Sequence, residues 1–182
     1  MKSDHPLFFI AVLAPEAISE EVTAFKLHAA AQFGSARALR SPPHITLVPP
    51  FAWPASDVSL LVKEIGRAAS SIPPFELTLR NFNCFAPRVI FVEVPDNPPL
   101  NRLQAYLAQH LEQTLHLPVK DDRPYHPHMT VAFKDLRRSQ FTPAWAHFSR
   151  ISYERTYSVT DVALLRHRNQ QWEVFRRFML NC

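Results

Sequence analysis

Two short segments of this chain pair a histidine with a threonine two residues later: His44-Ile45-Thr46 and His128-Met129-Thr130. In an extended backbone, residues i and i+2 point to the same face. His44 and Thr46 therefore share one face while Ile45 and Leu47 turn to the other, and His128 and Thr130 do the same against Met129 and Val131. If the two segments face each other across a groove, two imidazoles and two hydroxyls surround one small volume. That set suits a phosphodiester. One imidazole near its ordinary pKa of about 6.5 takes a proton from an attacking hydroxyl or water, and the other, protonated, gives one to the leaving oxygen. The threonine hydroxyls donate to non-bridging phosphate oxygens, where charge builds in the transition state. This chemistry, the logic of a metal-free ribonuclease, needs no metal, no cofactor and no nucleophilic side chain.

A rival signal overlaps the second segment. His126-Pro127-His128 puts two imidazoles on one face of a strand, as in some metal sites, and Asp121-Asp122 lie just upstream. The first segment has no counterpart, because position 42 is proline. A complete site needs three or four ligands, so no metal is expected, and a metal-dependent hydrolase using His126 and His128 stands as the alternative. Around the segments, Tyr125 and Phe51 are candidates to stack on a base, and Phe133 to pack in the core. Arg40 and Arg123 precede the two histidines by four and five residues and are candidates to reach a phosphate. The Arg137-Arg138 and Arg176-Arg177 pairs read as surface charge, and Cys84 as a small buried apolar residue.

The elements that must carry these residues read as follows. Leu7 to Leu13 is a continuous apolar run expected to form a buried strand rather than the core of a signal peptide, because Asp4 and His5 stand where a basic segment would be needed. Ile18, Val22, Phe25, Ala29 and Phe33 fall on one face of a helix that opens near Pro15 and ends at Gly34. A short strand boxed by prolines spans 42–50. A second helix is expected from a Ser56 cap through Val58, Leu61, Val62 and Ile65, then a strand from Phe75 to Leu79. The plan then repeats. Val89 to Val94 is a strand, Pro98-Pro99 open a helix with Leu100, Leu103, Leu107, Leu111 and Leu115 on one face, and 127–133 is a strand. A poorer helix runs from Pro143 to Phe148. A hairpin from Tyr153 to Leu165 and from Trp172 to Met179 turns near Asn169-Gln170. Phe9 precedes His44 by 35 residues and Phe91 precedes His128 by 37. This reads as an internal duplication within one domain, with a first repeat over about 1–86 and a second over 87–182.

Bulk properties limit the alternatives. Hydrophobic residues make up 47% and charged residues 20% of the 182, ordinary for a soluble globular chain. The longest apolar run near the start is too short to span a bilayer. Two cysteines imply no disulfide framework, so a cytoplasmic setting is expected. With two glycines among 182 residues, no glycine-rich phosphate loop can be built, which argues against nucleotide-cofactor and P-loop chemistry. A net charge of +4, mostly from arginine, favours an anionic or nucleic-acid partner.

The segments PHITLVPPF (43–51) and RPYHPHMTVAF (123–133) resemble those of the two-histidine phosphoesterase superfamily, and most closely its bacterial branch of 2′-5′ RNA ligase-like proteins and RNA cyclic phosphodiesterases. The resemblance covers essentially the whole chain. It implies an α+β, bilobal, internally duplicated fold in which antiparallel-rich sheets line a central cleft, with helices outside. It implies His44 and His128 as the catalytic pair and Thr46 and Thr130 as phosphate binders. It implies as partner an RNA with a 2′,3′-cyclic phosphate or a 2′-5′ linkage, or a small cyclic nucleotide. A monomer is expected and no membrane partner. A protein of the same fold that binds RNA with little turnover is a further alternative. One departure stands out: family members often carry a glycine-containing loop after the first motif, where this chain has Val48-Pro49-Pro50-Phe51, which stiffens that rim.

Overall fold

The first apolar run is strand β1, Leu7–Leu13, buried throughout from Phe8 onwards. Burial on both faces explains why its sequence shows no alternation. The computed structural model describes residues 4–117 and 124–181. Helix α1, Glu16–Phe33, buries Ile18, Val22 and Ala29. It stops at Gly34, whose φ of 70° lets its N–H reach back to the Ala30 carbonyl at 3.1 Å. A 3-10 turn at Arg37–Arg40 leads into β2, His44–Ala52.

Strand β2 runs past the two prolines expected to end it. At that end β1 and β2 pair with a register shift between Phe8 and Ile10. On its other side, among the described residues, β2 is paired at Ile45 alone. Pro49 and Pro50 therefore occupy strand positions where no ladder donor is demanded.

Helix α2, Val58–Ala69, is entered through a 3-10 turn at Ala55–Asp57. The expected Ser56 cap is not formed: Ser56 lies inside that turn, Asp57 stands at the helix entrance, and no side chain caps it. Two strands follow, β3 (Phe75–Arg80) and β4 (Phe82–Phe85), the second too short to announce itself by periodicity. Strand β5, Val89–Glu93, leads to helix α3, Pro98–Leu115. The Asn97 side chain accepts the Leu100 N–H at 2.9 Å, a cap worth about 1 kcal/mol. All five leucines of the expected stripe are buried.

Strand β6, His128–Ala132, is followed by helix α4, Arg138–Phe148, which starts five residues before the expected Pro143. Phe141, Ala144 and Phe148 are buried together on its inner face, and that packing outweighs the donor Pro143 lacks. The expected long arm from Tyr153 to Leu165 is instead two strands, β7 (Glu154–Val159) and β8 (Asp161–Arg168). The break at Thr160 changes partners. β7 pairs with β3 in a two-stranded sheet, and β8 enters the large sheet beside β1. Strand β9, Gln171–Met179, closes the chain through a turn in which Asn169 and Gln170 both have positive φ, as a tight hairpin demands.

The large sheet has the order β4-β5-β6-β2-β1-β8-β9 and every pairing in it is antiparallel. Its two faces differ. Phe8, Ile10, Val12, Ile45, Leu47, Met129 and Val131 join one large core with buried residues of all four helices. Phe9, Ala11, Leu13, Ala163 and Leu165 form a small cluster on the opposite face, with Trp172 packed against it. By strand alternation, His44, Thr46, His128 and Thr130 belong to that second face. Among the described residues, no helix is long and apolar enough to cross a membrane.

Candidate active site

Strands β2 and β6 are central neighbours, with Ile45 opposite Met129. Continuing the antiparallel register one residue each way sets His44 opposite Thr130 and Thr46 opposite His128. The two histidines are then diagonal neighbours on one face, close enough for the charge of His128 to act on His44. That spacing lets two imidazoles converge on one phosphate-sized group. His44, Thr46, His128 and Thr130 are all half-buried.

Each ring is held by the same device. His44 Nδ1 lies 2.7 Å from the Pro42 carbonyl, and His128 Nδ1 lies 2.7 Å from the His126 carbonyl. A carbonyl only accepts, so each Nδ1 carries the hydrogen and donates it. That leaves Nε2 as the working nitrogen on both rings. A phenylalanine from the neighbouring strand packs on each imidazole, Phe9 on His44 at 4.8 Å and Phe91 on His128 at 4.9 Å between ring centres.

The surroundings otherwise differ. Burial, reinforced by the charges of Lys26 and His128 and opposed by the Pro42 bond, pushes His44 down to about 4. His128 is also lowered by burial and by nearby His126, against its own carbonyl bond. Across the β1–β2 ladder His44 faces Leu13, whereas across the β5–β6 ladder His128 faces Glu93. The Glu93 carboxylate accepts a hydrogen bond from Asn83 at 3.0 Å. Sequence reading had passed over Glu93; the signal was its place in the last position of β5, in register with His128.

Of the other expected residues, Tyr125 is brought to the site in a different role. Its hydroxyl donates to the Thr46 carbonyl at 3.1 Å, and burial raises its pKa above the ordinary phenol value. It thus ties the segment before β6 to the middle of β2. Phe51 is not brought in: it packs on Phe8 at the far end of β2, against the main core. Arg40 is exposed and lines a pocket with Pro42 and Pro43, beside His44. Arg123, like Asp121 and Asp122, lies outside the described residues. His126 is exposed, and its ring meets Phe85 and Phe91 edge-on. Among the described residues, no group of three or more His, Cys, Asp or Glu side chains could hold a metal ion. Cys84 is half-buried and packed against the core, where burial raises its thiol pKa.

A second positioning contact was also missed. The Asp135 carboxylate, just after β6, accepts the Ser35 hydroxyl and the backbone N–H groups of Ala36 and Arg37, each at 2.9 Å. It fixes the turn that delivers the chain to β2. Carboxylate-to-amide bonds of this kind are the stronger sort.

The sequence family described as the 2′-5′ RNA ligase superfamily matches residues 14–171. An RNA 2′,3′-cyclic phosphodiesterase of Bacillus subtilis is 35% identical over 95 residues, half of this chain and 51% of its own length. A Geobacillus kaustophilus protein carrying a phosphoesterase name is 27% identical over 143 residues, 76% of this chain and 79% of its own. Among solved structures, E. coli LigT complexed with 3′-AMP superposes with a TM-score of 0.68 at 21% identity, covering 98% of this chain and 99% of the other. That likeness is one of fold.

Proposed function

Because the chain belongs to the 2′-5′ RNA ligase superfamily, we propose that it is a metal-independent phosphoesterase that opens 2′,3′-cyclic phosphates on RNA ends or small nucleotides. The observation that carries this reading is the diagonal placement of His44 and His128, each with Nδ1 fixed on a carbonyl and Nε2 left to act. His44, held neutral by burial, takes a proton from the attacking water. His128 donates one to the ribose oxygen as its bond to phosphorus breaks. Thr46 and Thr130 supply hydrogen bonds to the non-bridging oxygens, where negative charge grows. One P–O bond forms, one breaks, and the ring opens to a phosphomonoester. With a 5′-hydroxyl in place of water, the same step yields a phosphodiester, so a 2′-5′ ligase activity and a cyclic phosphodiesterase activity fit one site. The relatives' names, phosphoesterase and RNA 2′,3′-cyclic phosphodiesterase, support the class.

We also read residues 1–86 and 87–182 as two repeats. Exchanging β1-α1-β2-α2-β3-β4 for β5-α3-β6-α4-β7-β8 maps the sheet order onto itself, with β9 as an addition, and sets β3 against its counterpart β7.

The test is opening of adenosine 2′,3′-cyclic phosphate in excess EDTA, followed across pH. Turnover persists in chelator and the kcat/KM profile is bell-shaped, its acid limb set by His44 and its alkaline limb by His128. Loss of activity with EDTA removes the metal-free mechanism.

A further inference from the structure

One basic side chain near the site has no place in that chemistry. Lys26 lies in the middle of α1, is 2% exposed, and among the described residues has a single hydrogen-bond acceptor, the Ser41 carbonyl at 3.0 Å. An ammonium carries three donors. Burying one with a lone neutral acceptor costs free energy, and burial alone draws its pKa down to about 8. A leucine or methionine would fill the same space without that cost. The expense is explained if the charge meets an anion that arrives with the substrate.

The surroundings fit such an anion. Lys26 lines a pocket of about 300 Å³ together with Ser19, Thr23, Arg40, Gln171 and Trp172. Two cations and three hydroxyls line it and no carboxylate does. It adjoins His44. Pro42, also in its wall, supplies the carbonyl that orients His44. Trp172 packs edge-on against Phe9 at 4.7 Å, and Phe9 packs on His44.

We propose that this pocket is a second phosphate subsite, in which Lys26 and Arg40 hold a phosphate of the substrate other than the one that reacts. The inference rests on the cyclic-phosphate reading above and narrows it. The preferred substrate then carries at least two phosphates, as the end of an RNA strand does and a cyclic mononucleotide does not. Arg40, exposed at the rim, makes first contact; Lys26, inside, sets the depth of the pocket. Both contacts lie apart from the reacting bond, so they act on KM rather than on the chemical step.

The experiment compares kcat/KM for adenosine 2′,3′-cyclic phosphate with that for its 5′-phosphorylated form, which adds only a second phosphate. The wild-type protein prefers the latter at least tenfold, through KM. Arg40→Ala and Lys26→Met each reduce that preference to about threefold or less, while Arg102→Ala, on α3, leaves it as in the wild type. Lys26→Met also raises the melting temperature, which the loss of a merely structural contact would not do. Equal kcat/KM for the two substrates in the wild type, or a preference that survives both substitutions, overturns the subsite while leaving the cyclic-phosphate reading intact. If neither substrate is opened, that reading fails, and calorimetric titration with inorganic pyrophosphate into the His44→Ala/His128→Ala variant decides the subsite separately. Heat of binding abolished by Arg40→Ala in that background upholds it, and no binding to the parent double variant overturns it.

Discussion

The two His-x-Thr strands are alike in everything local and unlike in everything beyond. Each carries its histidine at the first strand position, fixes Nδ1 on the carbonyl two residues back at 2.7 Å, and packs a phenylalanine from the next strand on the ring. Beyond that, His44 sits over Leu13 and Phe9 with a buried lysine nearby, whereas His128 faces Glu93 and lies beside exposed His126. Burial favours the neutral form of both rings, and the charge of Lys26 adds to it at His44. Near-identical motifs thereby sit in unlike surroundings, the kind of asymmetry on which a division of acid and base roles draws.

The largest test of this comparison removes each histidine in turn. His44→Ala and His128→Ala each lower kcat for cyclic-phosphate opening by about 10²–10⁴-fold. The double variant is scarcely worse than either single one, because the pair acts as a unit. Steady-state kinetics on all three check it, and wild-type turnover in either single variant would remove that ring from the mechanism.

Next come the hydroxyls. Thr46→Val and Thr130→Val keep shape and remove the donors, each costing about 10²-fold in kcat with little change in melting temperature. A loss confined to KM would instead assign them to ground-state binding.

The smallest effect concerns stability. The folded pKa of His44 lies below its unfolded value, so folding favours the neutral ring. The unfolded chain binds the extra proton as pH falls from about 6.5 towards 4, and stability is lost over that window. For a half-buried ring the loss is on the order of 1–2 kcal/mol, discounted for solvent screening. Chemical denaturation of wild type and His44→Leu at pH 7 and pH 4.5 measures it. The variant loses less stability than the wild type over that interval, and an equal loss would place the acid sensitivity elsewhere.

Much of the scaffold was legible because it follows local rules. The α3 stripe of five leucines and its prolines, the Gly34 stop and the Asn169-Gln170 turn each express a preference that neighbours in sequence decide. The misplaced elements were those settled by packing. Thr160 divides a run of strand residues because β7 and β8 find partners in different sheets, and Pro143 is accepted within α4 because Phe141 and Phe148 are buried around it. In the site, the faces of His44, Thr46, His128 and Thr130 follow from a period of two, which needs no tertiary information. Glu93, Asp135 and Lys26 meet the site only through contacts from distant parts of the chain, and the bond from Tyr125 to Thr46 joins positions 79 apart. No spacing rule reaches so far.

The sequence by itself determined which residues can do the chemistry and which strand face they share, because side-chain type and strand alternation are local properties. Only the tertiary structure decided that β2 and β6 are neighbours in diagonal register and that the two histidines differ. Strand order, burial and the fields of distant charges arise only when the chain closes on itself.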